Sequence, residues 1–229
     1  MKIIRFFSNR EYQNAGQPLP AKKFLPEWYK KSETDFIAPN GELAAGLKRC
    51  VPFLDSMISG YMLVTPVDIF VSRNEDDTLN IGWNSTDLLS NFIAERPKDS
   101  GEHMPRPIAH YPNHLAFRGI WGFKTPRGWS ILVTHPLNRH DLPFTTTSGI
   151  MDSDKYSTSG NVPFFIKEDF TGVIPAGTPF AQLIPIKRAS WKAINNDRGI
   201  SYLEGLQGAA VRLPNKGYKK LFWVKKDYS

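Results

Sequence analysis

A β-sheet pattern is strongest in residues 141–188, which read DLPFTTTSGIMDSDKYSTSGNVPFFIKEDFTGVIPAGTPFAQLIPIKR. This stretch contains runs rich in Phe, Val, Ile and Thr, as strands usually are, and turn-forming residues separate them. The runs are LPFTTTSGIM, VPFFI, FTGVI and FAQLIPI. Before the last run, PAGTP places a proline ahead of a glycine, which is typical of a turn that restarts an extended segment. The stretch therefore predicts several strands and a mainly β fold.

The segment that precedes it continues the same pattern. Extended runs YMLVTP, VDIFVSR and TLNIGWN follow one another from residue 61, and NEDD is typical of a hairpin turn between the last two. The runs RGIWGFKT and GWSILVTH predict a second hairpin that turns around Pro126 and Gly128. We expect all these strands to form one closed or sandwiched β core.

Short helices are predicted near the N-terminus, after an edge strand at Lys2–Phe7. The run FLPEWYKKSE has Pro26 near the first helical position, which favours a brief helix. Apolar residues recur every three or four positions in residues 42–59, which predicts two helical pieces broken at Pro52. A further short helix is predicted for Asp87–Ala94.

The length of 229 residues and the hydrophobic content of 41% suffice for one well-packed domain with appended segments. We expect a single domain over 1–229, with an N-terminal part at 1–60, a β core at 61–188 and a C-terminal tail at 189–229. The tail is expected to pack on the core or on a neighbouring subunit of a homo-oligomer. The aromatic residues for this contact are Trp191, Tyr202, Phe222 and Trp223.

The chain is basic, with a formal net charge of +7 and a pI near 9.4. At this modest excess, a solvated lysine surface is favoured over binding of nucleic acid. The single cysteine, Cys50, excludes an intrachain disulfide, and its apolar neighbours predict a buried thiol. Since no apolar run is long enough for a membrane span, we expect a soluble protein of the cytoplasm or of a particle assembled there.

Histidines are concentrated between His103 and His140, which raises the alternative of a metal-dependent cupin-like or oxygenase-like barrel. Such a barrel binds a divalent metal with two imidazoles and a carboxylate, here His135, His140 and Asp141. The spacing does not favour this alternative, because the sequence contains no HxD or HxE and neighbouring strand residues point to opposite faces. We therefore favour loop histidines that bind backbone groups, and no metal.

The loop THPLNRHD at residues 134–141 is the most polar link between two strong predicted strands. Asn138 and Arg139 in this loop can bind a small anionic ligand at the mouth of a barrel, with the guanidinium as a fork. A solvated turn is the other interpretation of the same residues, and it is the one we favour. Arg139 is nevertheless kept as a candidate ligand-binding residue.

A pair of acidic residues, Asp152 and Asp154, stands at the end of a predicted strand and shares a face if the strand continues. Two carboxylates this close can chelate Mg²⁺ or raise each other's pKa, as water activation requires. The other interpretation is a plain turn, because DSDKYSTSGN consists of residues that favour Asx turns and loops. Motifs of several other enzyme classes are missing, since the sequence contains no GxxxxGK(S/T), HExxH or GxSxG.

The same region resembles a known enzyme family. SGIMDSD at residues 148–154 and IPAGTPFAQLIPIKR at 174–188 are similar to the AG(V/I)IDxDY and GDRIAQLI segments of dUTPases and the related dCTP deaminases. TPRGWSILV at residues 125–133 resembles their APRSGLA segment more weakly. The resemblance covers 123–188 and implies a β-clip or jelly-roll-like fold and a homo-oligomer. The overall layout is also similar to an uncharacterised family of tailed phages and some bacteria.

The resemblance implies roles for individual residues in an active enzyme. Asp152 would be the general base, Gln182 would hold the nucleobase or the phosphates, and Arg127 would bind phosphate with Mg²⁺ as cofactor. Tyr156 stands one place after the position of the tyrosine that packs on the deoxyribose, and Lys155 occupies that position itself.

Other positions depart from the family's pattern as well. Pro179 replaces the arginine of the GDRIAQ segment, and Gly128 replaces the serine that contacts phosphate. The C-terminal residues NKGYKKLFWVKKDYS have no counterpart to the family's glycine-rich arm. We therefore expect a non-catalytic binding or assembly protein of phage type, with Asp152, Arg139 and Gln182 as remnants of a ligand pocket. The alternative is a divergent Mg-dependent nucleotide hydrolase or deaminase-like enzyme.

Overall fold

The computed structural model describes residues 2–84, 89–96, 103–195, 199–212 and 217–229, with the side chains of 210–212 left aside. The strands in these ranges are β1 (Arg5–Phe7), β2 (Leu19–Pro20), β3 (Asp35–Ile37), β4 (Leu43–Ala45), β5 (Tyr61–Val64), β6 (Ile69–Arg73), β7 (Leu79–Trp83), β8 (Ile93–Glu95), β9 (Leu115–Arg118), β10 (Gly122–Lys124), β11 (Trp129–Thr134), β12 (Phe144–Thr146), β13 (Gly149–Met151), β14 (Asn161–Ile166), β15 (Gly172–Ile174) and β16 (Pro179–Lys187). The α-helices are α1 (Glu27–Lys31), α2 (Val51–Ile58), α3 (Ile200–Arg212) and α4 (Gly217–Leu221).

Most strands belong to three antiparallel sheets. The first sheet has the order β13-β11-β16-β5-β2, the second β12-β14-β9-β8, and the third β15-β6-β7. The remaining described strands form two separate pairs, β1-β10 and β3-β4. The prediction of a mainly β chain is confirmed. Within the described ranges the sheets are open, and none of them closes into a barrel.

The main core lies where the inner faces of the three sheets meet. Phe117 of β9 is at its centre, with its ring stacked on Phe164 at a centroid distance of 3.8 Å and close to Phe180 at 4.6 Å. All three side chains are buried. Burial of a phenylalanine of this kind stabilises a fold by about 1.5–3 kcal/mol, so this aromatic cluster accounts for much of the contact between the sheets.

A second, smaller core covers the outer face of the first sheet. Neighbouring residues of a strand point to opposite faces, so Leu63 in β5 packs in the main core while Met62 faces outward. Met62 and Val64 pack there against Ala21 and Phe24 from the N-terminal segment. The N-terminal residues therefore cover a sheet face that would otherwise be exposed.

The N-terminal prediction for residues 42–59 is wrong in its first half. Residues Leu43–Ala45 form strand β4, and only Val51–Ile58 form an α-helix. Pro52 lies in the first turn of α2 and does not break a helix, because the first turn leaves backbone N–H groups unbonded anyway. Cys50 precedes this exposed helix start, and its thiol is exposed and not buried as predicted.

Three further predictions differ from the structure. The strands on either side of Gly128 do not pair with each other: β10 pairs with β1, and β11 pairs with β13 and β16. The run LPFTTTSGIM forms two strands, β12 and β13, in different sheets. Of the helix predicted at Asp87–Ala94, residues 87 and 88 lie outside the described ranges, and Ile93–Glu95 form strand β8.

The C-terminal tail contacts the rest of the chain mainly through its last residues. Trp223 donates its indole N–H to Asp55 of α2 at 2.9 Å, and the Tyr228 ring lies 6.1 Å from that of Tyr61. Trp191 and Tyr202, in contrast, are 91% and 69% exposed. None of the helices in the described ranges combines the length and the apolar character that crossing a membrane requires.

Candidate functional site

The two segments that resemble dUTPases lie in the first sheet, on either side of one strand. Asp152 follows β13 and Gln182 belongs to β16, and both strands pair with β11. The two strands are therefore not direct neighbours, because β11 lies between them. β11 places Ser130 near its start and Thr134 at its end on one sheet face, and the polar residues group around these two positions.

The first polar group is an ion cluster around Arg188. Ser130 donates its hydroxyl to Asp152 at 2.6 Å, and the Arg188 guanidinium lies 3.2 Å from the same carboxylate oxygen. Arg188 also forms a two-pronged ion pair with Asp154, one contact of which measures 2.7 Å. One guanidinium therefore holds both carboxylates that the sequence singles out.

The glycine at position 128 completes this cluster. Its backbone φ of +83° is in the left-handed region, which a glycine adopts without strain, and its N–H donates to Asp154 at 2.8 Å. The side chain of Asp154 is almost fully buried by these contacts. A glycine at position 128 thus has a structural reason, because the turn and the Asp154 contact both use this conformation.

The cluster keeps both acids ionised. The hydrogen bond from Ser130, followed by the charge of Arg188, lowers the pKa of Asp152. The hydrogen bonds from Arg188 and from the Gly128 N–H lower the pKa of Asp154 strongly. A carboxylate with a lowered pKa is a weak base, so neither residue is tuned to take a proton from water at neutral pH.

The second polar group surrounds Gln182, which is completely buried. Its amide oxygen accepts a hydrogen bond from the Leu137 N–H at 2.9 Å, and its amide nitrogen donates to the carbonyls of Ser56 and Ser59 at 2.8 and 2.7 Å. The side chain therefore ties β16 to the end of α2 and to the turn after β11. These three bonds use most of its hydrogen-bonding capacity and leave no exposed atom for a ligand.

The remaining candidates of the loop at 134–141 are also engaged within the chain. Asn138 has a φ of +62° and donates its side-chain amide to the Ser56 hydroxyl at 2.7 Å. Arg139 forms a fork on Asp141 with two contacts of 2.9 Å, and it donates to the Phe24 carbonyl at 3.2 Å. The bond from Arg139 to Phe24 holds the loop against the N-terminal segment. The loop is therefore a structured turn and not the solvated turn that the sequence favours.

The two polar groups are well separated. Asp152 is held at Ser130, whereas Gln182 lies opposite Thr134, four residues further along β11, which is about 13 Å in an antiparallel strand. The structure therefore does not bring Asp152 and Gln182 into one pocket. Arg127 and Tyr156, the other candidates near Asp152, are exposed.

The histidine alternative meets a similar arrangement. Both ring nitrogens of His135 have partners within the chain, since the Thr146 N–H donates to Nδ1 at 3.2 Å and Nε2 lies 3.1 Å from the Arg139 carbonyl. Burial lowers the pKa of His135, while His140 is exposed and Asp141 is bound to Arg139. Among the described residues, no group of three or more His, Cys, Asp or Glu side chains could hold a metal ion.

The residue that sequence reasoning missed is Arg188. It directly follows β16, the strand that carries Gln182. Its contacts with the two aspartates depend on a register that pairs Trp129 with Lys187. A basic residue that ends a strand opposite a turn with two aspartates was the only available signal. That signal gains meaning only once the strand partners are known.

Comparisons with known proteins do not add a family. No protein-family model matches the chain, and no curated protein sequence matches it. The contacts of the described side chains are therefore the basis of the proposals that follow.

Proposed function

We propose that this chain is a non-catalytic binding or assembly protein of phage type, with a β-clip or jelly-roll-like core that resembles that of dUTPases. The observation that carries the proposal is the ion cluster around Arg188. It occupies the position that the resemblance assigns to a general base, and its one guanidinium pairs with both Asp152 and Asp154. The cluster supports a structural use of the acids in place of a catalytic one.

The same cluster does not fit a magnesium site. Mg²⁺ prefers carboxylate and water oxygens in an octahedral arrangement, and it would need access to Asp152 or Asp154. The guanidinium of Arg188 contacts one oxygen of Asp152 and both oxygens of Asp154, and its positive charge weakens the attraction of these acids for a second cation. Arg188 therefore disfavours binding of Mg²⁺ and, with it, the nucleotide-hydrolase alternative.

Exposed apolar side chains support the assembly part of the proposal. Ile37 of β3 and Leu43 of β4 stand directly opposite each other, and they are 67% and 68% exposed. Phe70 of β6 and Val173 of β15 form a second exposed pair on the third sheet. Apolar pairs of this kind on a surface are typical of contacts between proteins, and we propose that the partner is another copy of the chain.

A panel of nucleotides tests the non-catalytic part. Purified protein is incubated with dUTP, dCTP and other nucleotides in the presence of Mg²⁺, beside Asp152→Asn. We expect no product above the buffer background from either protein. Turnover by the parent that disappears in Asp152→Asn would establish the hydrolase or deaminase alternative instead. A stoichiometric transition metal in the same sample would support the oxygenase-like alternative.

Sedimentation velocity tests the assembly part. We expect the parent to sediment as a homo-oligomer and a double variant, Ile37→Glu with Leu43→Glu, to sediment as smaller species. Ile108→Glu is the matched control, because Ile108 is highly exposed but has no apolar partner across a strand. A parent that is monomeric at every concentration tested would contradict the homo-oligomer.

A further inference from the structure

A cavity of about 540 Å³ lies far from the ion cluster in sequence, between the turn of the β6–β7 hairpin, the end of β8 and the loop before β9. This volume is within the usual range for small-molecule sites, about 300–1,000 Å³. Its lining residues include Arg73, Leu79, Glu95, Arg96, Tyr111 and Leu115.

The chain fixes the wall of this cavity firmly. Ala109 has a φ of +58°, and its carbonyl accepts a hydrogen bond from the Glu168 N–H at 3.0 Å. The Tyr111 N–H donates to the Ile166 carbonyl at 2.9 Å, which anchors the loop to the end of β14. The guanidinium of Arg73 then lies 5.4 Å from the centre of the Tyr111 ring. The tyrosine is therefore held in place from its backbone and from its ring face.

Two polar atoms of residues that line this cavity are buried and have no hydrogen-bond partner in the described part of the chain. They are the Tyr111 hydroxyl and the Nε of Arg96. Arg96 also forms no ion pair with any residue that the structure describes. Buried polar groups in native proteins nearly always have a partner, and those without one call for an explanation. Both groups are donors, so a molecule that offers acceptor oxygens would satisfy them.

The charges around the cavity narrow the class of molecule. Arg73 is paired with Asp77 at 2.6 Å, and Glu168 is paired with Arg106 at 3.0 Å. Arg96 remains as a cation of the wall with no ion pair among the described residues. Glu95 and Asp76 are the acids of the wall that form no ion pair there either. Such a wall offers one site for an anionic group and one for a cationic group, and its acids would repel a polyphosphate.

The positions of Glu95 and of the apolar residues complete the arrangement. Glu95 stands directly opposite Leu115 in the β8–β9 pair, so the two side chains share a face of the sheet. Leu79 from β7 also lines the cavity. Burial, followed by the charge of Arg96, lowers the pKa of His114, so this neighbour adds no second positive charge at neutral pH.

We propose that this cavity binds a small zwitterion with one carboxylate and one ammonium group, of which an α-amino acid is the simplest example. The carboxylate accepts hydrogen bonds from the Tyr111 hydroxyl and the Arg96 guanidinium, and the ammonium group faces Glu95. An apolar side chain of the ligand contacts Leu79 and Leu115. This site goes beyond the proposed assembly function and does not depend on it, because it shares no residue with the Arg188 cluster or the exposed apolar pairs.

Ligand-observed NMR on the full chain tests the proposal directly. The common amino acids are the probes, added one at a time at millimolar concentration. Each amino acid that binds is then compared with two incomplete probes. One is the matching carboxylic acid without the amine, and the other is the matching amine without the carboxylate. We expect at least one amino acid with an apolar side chain to bind. Each incomplete probe should bind at least about tenfold more weakly than that amino acid. Equal binding of an incomplete probe, or no binding of any amino acid, would overturn the proposal.

Variants locate the binding in this cavity. Tyr111→Phe removes only the unpartnered hydroxyl. Arg96→Met removes the guanidinium, with its charge and its N–H donors, while a chain of similar length remains. We expect each to weaken binding of the amino acid about tenfold or more, since a hydrogen bond to a charged group is lost. Arg118→Met, at the other end of β9, is the matched control and should bind as the parent does. Parent-like binding by Tyr111→Phe and Arg96→Met would contradict the assignment even if an amino acid binds.

Discussion

Two polar regions of the molecule differ in how many of their side-chain donors and acceptors form hydrogen bonds or ion pairs within the chain. At the Arg188 cluster and at Gln182, the charged and polar side chains bond to one another or to the backbone. At the cavity beside Tyr111, two buried donors have no partner among the residues that the structure describes. The first region carries the resemblance to an enzyme family, yet the second is the one with free bonding capacity.

This difference separates residues that build the fold from residues that can bind something else. A buried group with all its bonds made can contact a ligand only by giving up bonds to the protein, which costs about as much free energy as the ligand returns. A buried donor without a partner has no such cost. Internal bonding therefore distinguishes the two regions better than residue type, because both contain arginine and carboxylates.

The largest effect is expected at Gln182, where one side chain serves three backbone groups. Gln182→Met keeps the size of the side chain but leaves the Leu137 N–H and two carbonyls of α2 without a partner. We expect the free energy of unfolding to fall by about 3 kcal/mol, measured by urea denaturation. Gln207→Met on the exposed face of α3 is the control, with an expected change within about 0.5 kcal/mol. A small effect of Gln182→Met would mean that these bonds do not hold the sheet to α2.

A smaller effect is expected at Arg188, and it should depend on pH. The pKa of Asp152 and of Asp154 is lowered in the folded protein, so the stabilisation is present above the unfolded value of about 3.9 and is lost as the pH falls below it. Arg188→Met should therefore lower the melting temperature by several degrees at pH 7. The difference from the parent should shrink in a series of melting curves below about pH 4.

Arg127→Met is the control for this series, because Arg127 is an exposed residue of the same turn. Its melting temperature should follow that of the parent at every pH. A difference between Arg188→Met and the parent that stays constant down to the most acidic sample would show that the ion pairs do not contribute to it.

The attachment of the tail through Asp55 should contribute less. Asp55→Ala removes the acceptor for Trp223 and the ion-pair partner of Lys226. We expect a loss of about 1 kcal/mol and faster proteolysis of the last residues, followed by mass spectrometry. Asp227→Ala is the control, because its ion pair with Lys22 is exposed and long at 3.5 Å. Equal proteolysis of both variants would contradict a special role of Asp55.

The smallest effect on stability is expected at Tyr111, and it sharpens the contrast between the two regions. Tyr111→Phe without ligand should leave the melting temperature unchanged within about a degree, because the hydroxyl has no bond to lose. Thr125→Val removes a buried hydroxyl that bonds to the Trp129 carbonyl and to Ser153, each at 2.8 Å. That variant should lose about 1–2 kcal/mol. Equal losses would mean that the Tyr111 hydroxyl has a partner within the chain.

The strands of residues 141–188 were predictable because their signals are local. Proline, glycine and aspartate mark the turns, and the alternating apolar residues mark the faces. The partners were not predictable from the same signals. Strand β10 pairs with β1, which lies near the N-terminus, although a glycine turn joins β10 to β11. Pairing between strands is decided by packing of the whole core. A short run of residues carries no information about that packing.

The sequence singles out the polar residues of the candidate site but not the bonds that they form. Asp152, Gln182 and Arg139 all form hydrogen bonds within the chain. Their partners Ser130, Ser56 and Phe24 lie on other segments, and nothing in the local sequence indicates that these partners consume their hydrogen bonds. The cavity beside Tyr111 was missed for the same reason, because four separate segments form its wall.

The three bonds of Gln182 also have a consequence for how the native protein fluctuates. One amide bonds the end of α2 and the turn after β11 at the same time, and Asn138 of that turn donates to the Ser56 hydroxyl of α2. The two segments are therefore bonded both to β16 and to each other. We therefore infer that the two segments open as one cooperative unit. In native-state hydrogen exchange, the amide proton of Leu137 should be protected as strongly as those of the last turn of α2, despite its position in a surface loop.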